Sequence, residues 1–140
     1  MNDLVVAGAI GAISGSRSML GPALVARQVA PRLPQSITTL MAIGEMAADK
    51  HPATPDRTSA LPLIGRMVMG GSAAAMYARR DRRVPAAIVG AAAAVAFTFA
   101  AFHLRRLATE RLHVPNLAAG LIEDALAVGI GALVLRTARA

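Results

Sequence analysis

Four long apolar blocks constrain the fold of this chain more than any other feature of its sequence. They cover residues 4–26, 60–78, 85–102 and 117–135. A hydrocarbon core about 30 Å thick is crossed by roughly 20 helical residues, a length that each block reaches or approaches. The apolar residues are contiguous and not amphipathically spaced, so each helix would be apolar on all sides. The blocks predict an all-α polytopic membrane bundle with four transmembrane helices, in a single integral membrane domain over residues 1–140.

The composition favours this interpretation over the alternative of a soluble helical bundle. Charged residues make up 16% of the chain, whereas soluble domains carry about 25%. There are no cysteines, so disulfides, thiolate metal sites and cysteine nucleophiles are excluded. The sequence also contains no recognisable metal-ligand, phosphate-loop or nucleophile motif, and it therefore predicts no metal, no cofactor and no catalytic residue.

The net charge of +7 raises the question of a nucleic-acid partner. The basic residues lie mainly between the apolar blocks, and only 3% of residues are aromatic, so the stacking surfaces that bind single strands are missing. We therefore expect a lipid bilayer with anionic headgroups to be the partner, and not nucleic acid.

A fifth, shorter helix is predicted between the first two blocks, beginning at Ile37 and ending at Lys50. Ser36 is placed to cap its start, and Pro52 is placed to stop it. A helix of that length covers only about 21 Å, which predicts an interfacial or re-entrant segment. Glu45 and Asp49 are four residues apart and share one of its faces.

Membrane orientation follows less directly from the sequence. If the chain crosses four times, the basic residues are nearly balanced between the two faces, and the positive-inside rule decides little. The local density of Arg79, Arg80, Arg82 and Arg83 favours a cytoplasmic location for that loop and for both termini.

Four charged residues lie inside the predicted spans: Arg17, Arg66, Glu123 and Asp124. Each costs about 2.5 to 3.5 kcal/mol to insert, so each must face protein or water. With four spans, Arg66 and Glu123 both lie about 9 Å from one face, and Arg17 lies about 14 Å from it. Glu123 and Asp124 point about 100° apart, so one can pair with Arg66 while the other turns toward Arg17.

Two interpretations of these charges are open. They can neutralise one another and fix the packing of the helices, or they can form a polar pocket for a ligand. Arginine's planar fork suits phosphate or carboxylate. The predicted ligand-binding residues are Arg17, Arg66, Glu45, Asp49, Lys50, Glu123 and Asp124.

One stretch resembles a known family. It reads Gly-Glu-Met-Ala-Ala-Asp-Lys-His-Pro over residues 44–52, and it is followed by Asp56 and by Arg66 in the second block. With Gly15-Ser16-Arg17 in the first block, it is similar to a bacterial membrane-protein family described as domain of unknown function 4126. This chain departs from the family in having extra residues before Asp56 and no proline just after Arg66. The resemblance implies a multi-span protein of the bacterial cell inner membrane and supplies no activity.

Three functions remain compatible with the sequence. The first is transport or permeation of a small or lipid-linked anion through the charged pocket. The second is an accessory or scaffolding subunit of a larger membrane protein complex, packing through Gly/Ala-rich helix faces. The third is a lipid-modifying enzyme, which is ranked last because the nucleophile and metal-ligand groups usual in such enzymes are missing. Since 140 residues enclose little volume, the sequence is also compatible with a homo-oligomer.

Overall fold

A computed structural model describes residues 2–48 and 59–138, and every regular element in these ranges is a helix. Six α-helices follow one another, and a short 3-10 turn, Arg80–Arg82, precedes the fifth. Their bounds are α1 Asp3–Ser16, α2 Leu20–Val29, α3 Arg32–Ala48, α4 Ala60–Tyr77, α5 Arg83–Arg111 and α6 Asn116–Thr137. The bounds of α5 and α6 enclose the third and fourth apolar blocks, and α4 matches the second to within one residue.

The first apolar block is not one continuous helix, contrary to the prediction. The backbone at Arg17 is extended, with φ −145° and ψ 119°, and the chain then folds back. Gly21 packs so closely on Ser14 that a Cβ there would overlap the serine hydroxyl, and Val25 shares a buried cluster with Val6. Residues that a straight helix would place far apart are therefore neighbours, and α1 and α2 form a helical hairpin with Arg17 at its tip.

The hairpin packs against α4 and α5 through small residues. Gly11 lies against Gly90, where an added Cβ would overlap the carbonyl oxygen, and further along the same helices Gly15 lies against Ala94. This register makes α1 and α5 parallel. Gly70 lies against Ala94 and Ala74 lies against Gly90, which makes α4 antiparallel to both. Close approach of this kind is how membrane helices gain packing energy.

Large apolar side chains point outward and small ones inward. Among the described residues, ten of the sixteen buried apolar ones are alanine, whereas leucines and isoleucines such as Leu61, Ile88, Leu121 and Leu133 are more than half exposed. By length and composition, two helices of the described ranges can cross a membrane: α5 with its preceding turn, and α6. Together with the apolar exterior, they have the features of a membrane protein. Neither α1 nor α4 meets the same criterion.

Helix α3 differs from the prediction at its start. It begins at Arg32, so Ser36 lies inside the helix and donates its hydroxyl to the Arg32 carbonyl oxygen at 3.0 Å instead of capping it. Serine can satisfy its hydroxyl against a carbonyl four residues earlier, and this explains why a cap residue is tolerated inside the helix. The predicted end of this helix, at Lys50 and Pro52, lies outside the described residues.

Candidate functional site

The reversal between α1 and α2 removes backbone hydrogen bonds that a continuous helix would make. In a helix, the Gly15 carbonyl oxygen would accept from the amide of Met19, and the amide of Ser18 would donate one turn back. An unsatisfied amide or carbonyl buried away from water costs about as much as a lost hydrogen bond. The break is therefore tolerable only if other parts of the chain supply donors and acceptors.

Glu45 supplies the acceptors. Its two carboxylate oxygens accept hydrogen bonds from the amides of Ser18 and Met19, each at 2.8 Å. The carboxylate thus lies at the N-terminus of α2, where the helix dipole is positive and a negative charge is stabilised. Glu45 lies on α3, so a long-range contact ties the end of one helix to the tip of the hairpin.

The donors come from Thr98 and from Arg17 itself. The Thr98 hydroxyl on α5 lies 3.0 Å from the Gly15 carbonyl oxygen and 2.8 Å from that of Ala94. One guanidinium nitrogen of Arg17 donates to the carbonyl oxygen of Ser16 at 3.0 Å. Protein groups therefore lie within hydrogen-bonding distance of the backbone amides and carbonyls on both sides of the break.

The Arg17 guanidinium is buried and surrounded by carboxylates. Its side chain is 1% exposed, its Nη2 atom lies 2.6 Å from Oδ1 of Asp124, and its Nη1 atom lies 4.0 Å from Oε1 of Glu123. The two acids are adjacent on α6 and point to different sides of the arginine. Burying an arginine is costly unless a paired charge compensates it, and this arrangement provides that compensation.

The ion pairs continue from Glu123 to the end of α5. Oε2 of Glu123 lies 3.5 Å from Nη1 of Arg105, whose Nε donates to the Asn116 side chain at 2.9 Å. Sequence reasoning missed this role of Arg105 in linking α5 to α6, because its partners Asn116 and Glu123 lie on another helix and no local motif marks the contact.

The remaining predicted site residues are placed as follows. Arg66 is buried on α4 with 5% of its surface exposed. It lies one turn before Gly70, which contacts Ser14. Because α4 runs antiparallel to α1, Arg66 is at the level of the hairpin tip. Asp49 and Lys50 lie outside the described residues. The structure therefore brings Arg17, Glu45, Glu123 and Asp124 into one network and places Arg66 at its level.

A cavity of about 540 Å³ lies beside this network, between α1, α5 and α6. Its walls are apolar except for Ser16, Arg105 and Glu123. The Glu123 carboxylate, which contacts Arg17 and Arg105, therefore forms part of the cavity wall. Within the described ranges, no group of three histidine, aspartate or glutamate side chains is placed to hold a metal ion.

Comparison with known proteins adds no further constraint on the site. No protein-family model, curated protein or solved structure matches the chain. The resemblance of residues 44–52, Arg17 and Arg66 to domain of unknown function 4126 stays a prediction.

Proposed function

We propose that this protein is a multi-pass protein of the bacterial inner membrane that lets small anions cross the bilayer. In this proposal the hairpin of α1 and α2 enters the membrane from one side and returns to it. Helix α3 then begins the crossing that takes the chain to the other side, where α4 starts, and α4, α5 and α6 each span the membrane. The outward-facing leucines and isoleucines support a lipid environment. The single observation that carries the functional part is the buried Arg17 at the hairpin tip, ion-paired with Asp124.

Broken helices have a specific use in membranes. Irregular backbone at membrane depth is tolerated only where protein or a water-filled cavity surrounds it. Transporters use helices of this kind near the bilayer midplane, where half-helix N-termini point at anionic substrate groups. With 14 residues, α1 extends about 21 Å, which places its tip well inside a hydrocarbon core about 30 Å thick.

The chemistry of the tip favours an anion over a cation. The amides of Ser18 and Met19 already bind the Glu45 carboxylate through both of its oxygens. A free carboxylate or a phosphate presents the same pair of oxygens to the same donors. We infer that a permeating anion occupies this position when Glu45 leaves it, with Arg17 close enough to offset its charge.

Glu45 is well placed to leave. Of the residues of α3, only Ala42 is buried, so moving this helix disturbs little packing. The helices that enclose Arg17, in contrast, contact one another through closely packed glycines. In this mechanism α3 moves and the core of α1, α4 and α5 stays fixed.

The hairpin keeps the expected orientation and gives it stronger support from the arginine distribution. Since α2 returns toward the start of α1, Arg27 and Arg32 come to the same side as the loop before α5. Apart from the buried Arg17 and Arg66, the described arginines number seven on that side and three on the other. The seven are Arg27, Arg32, Arg79, Arg80, Arg82, Arg83 and Arg136, and the three are Arg105, Arg106 and Arg111. The positive-inside rule then places the N-terminus and the Arg79–Arg83 loop in the cytoplasm.

The experiment is anion efflux from proteoliposomes loaded with chloride, phosphate or acetate. We expect flux above that of protein-free liposomes for at least one anion, loss of that flux in Arg17→Gln, and altered flux in Glu45→Gln. Arg82→Gln is the matched control, because Arg82 is 55% exposed and its neighbour Asp81 is 74% exposed. Insertion is checked for each variant by sodium carbonate extraction.

Two results would contradict the proposal. Wild-type protein that passes none of the three anions would exclude permeation of this class. Correctly inserted Glu45→Gln and Arg17→Gln proteins with unchanged flux would show that the network only holds the fold together. A foreign subunit that co-purifies in stoichiometric amount with an inactive wild type would instead support the accessory role.

A further inference from the structure

The cavity between α1, α5 and α6 is a groove with mainly apolar walls. Its outer wall includes Leu104, Ile122 and Leu126, which are 63%, 56% and 57% exposed, so the cavity opens sideways between α5 and α6. Its inner wall is formed by small side chains such as Ala12 and Ala127. About 540 Å³ falls within the range of roughly 300 to 1,000 Å³ typical of ligand sites.

One end of the groove lies at the level expected for lipid headgroups. Arg83 begins α5, and Arg105 borders the groove near the other end of the helix. The 22 residues between these positions rise about 33 Å, close to the thickness of a hydrocarbon core of about 30 Å. No residue between Arg83 and Arg105 carries a formal charge at neutral pH. With Arg83 at one interface, the Arg105 end of the groove therefore lies at the other.

The net charge at this end is positive even with the Glu123 carboxylate, which lies 3.5 Å from Arg105. Arg105 borders the groove directly. The exposed Arg111 comes two helical turns after Leu104, which places it just beyond the groove at the end of the helix face that Leu104 occupies. The first turn of α6 begins beside Arg105, whose Nη2 donates to the Asn116 carbonyl oxygen at 3.2 Å, and its free amides add to the positive potential. Glu110 is held by Arg106, 2.8 Å away.

We propose that the groove holds one acyl chain of an anionic phospholipid from the surrounding bilayer, with the lipid phosphate against Arg105 and Arg111. The apolar walls take the chain, and the two arginines take the phosphate. This inference rests on the membrane location proposed above and not on anion movement. Because the groove reaches Glu123 and Ser16 at its inner side, the bound chain would also separate the Arg17 network from bulk lipid.

The test uses two synthetic lipids that differ only in headgroup charge. The purified full chain is mixed in mild detergent with equal amounts of dioleoyl phosphatidylglycerol and dioleoyl phosphatidylcholine, and native mass spectrometry counts what stays bound. We expect one phosphatidylglycerol per chain, retained in preference to phosphatidylcholine. Arg111→Gln should weaken that preference roughly tenfold, as expected for loss of a hydrogen bond between charged groups.

Matched variants distinguish lipid binding in the groove from lipid binding elsewhere on the surface. Ala127 lines the groove, and Ala125, on the same helix, is exposed outside it. We expect Ala127→Phe to release the lipid and Ala125→Phe to keep it. Arg82→Gln is the control for Arg111→Gln, because it removes an exposed arginine at the opposite end of α5. Arg111 is exposed, so its variant tests the proposal even if Ala127→Phe misfolds.

Three outcomes would overturn the inference. The first is equal retention of the two lipids by wild type. The second is retention by Ala127→Phe equal to that of Ala125→Phe, and the third is an unchanged preference in Arg111→Gln. Retention of a free fatty acid in place of a phospholipid would likewise exclude the proposed occupant. None of these outcomes depends on anion flux, so the two proposals can fail separately.

Discussion

The guanidinium of Arg17 and the carboxylate of Asp124 lie 2.6 Å apart at the tip of the α1–α2 hairpin, with 1% and 12% of their side chains exposed. One group comes from a break in a helix and the other from the middle of α6. The pair therefore fixes the depth to which the hairpin enters the bundle, since Arg17 cannot move along α6 without losing its partner.

This relationship predicts strong coupling between the two residues. Removing one member of a buried pair leaves an uncompensated charge and costs about 3 to 5 kcal/mol. We expect Arg17→Met and Asp124→Leu each to lower the melting temperature in detergent sharply, and the double variant to recover part of the loss. Additive losses in the double variant would contradict a direct pair. Arg106→Met with Glu110→Leu is the control, because that pair is 61% exposed on both sides and exposed pairs contribute about 0 to 1 kcal/mol.

Thr98 carries the second prediction. Its hydroxyl is buried and lies within hydrogen-bonding distance of the Gly15 carbonyl oxygen, at the end of α1. Thr98→Val keeps the shape of the side chain and removes the donor, so we expect a loss of about 1 to 3 kcal/mol in the free energy of unfolding. Thr98→Ser keeps the hydroxyl and should be closer to wild type. Chemical denaturation in detergent measures both, and equal stability of the valine and serine variants would show that the hydroxyl does not support the break.

The sequence could predict the helices and the level of the charged cluster, because both follow from local spacing. The lengths of the apolar blocks predict the helices, and a rise of about 1.5 Å per residue predicts the same depth for Arg66 and Glu123. Arg17 reaches that depth for a different reason than the one expected. It lies at the tip of a hairpin and not part-way along a continuous span.

The helix break itself could not be predicted, because the residues that support it are far away in the chain. The local sequence of residues 4–26 permits a helix with a bend, and it does not require the complete reversal that the structure shows. The break depends on Glu45 from α3 and Thr98 from α5, both of which replace backbone partners. Pro22 and Gly21 indicate a bend nearby, but they lie in the first turn of α2, where proline lacks an amide that would be unpaired anyway.

The glycine contact between α1 and α5 carries the third prediction. A methyl group on Gly11 would overlap the carbonyl oxygen of Gly90, and backbone cannot move aside as a side chain can. We expect Gly11→Ala to lower the free energy of unfolding by about 1 to 3 kcal/mol, the usual cost of overpacking. Gly129→Ala is the control, since no atom lies within 4 Å of its added Cβ, and it should be neutral or stabilising because alanine favours helix by about 1 kcal/mol. Similar effects of the two substitutions would contradict the close packing.

The hairpin makes a final prediction about which side of the membrane the loop after α2 faces. If α1 and α2 fold back, Ala30 and Asp81 lie on the same side; if residues 4–26 cross the membrane as one span, they lie on opposite sides. The chain contains no cysteine, so Ala30→Cys, Asp81→Cys and Glu110→Cys each introduce a single reactive thiol. In intact cells a membrane-impermeant maleimide should label only the Glu110→Cys protein, and the Ala30→Cys and Asp81→Cys proteins should react only after the membrane is opened. Labelling of both Ala30→Cys and Glu110→Cys in intact cells would restore the continuous span and remove the re-entrant hairpin on which the proposed anion position depends.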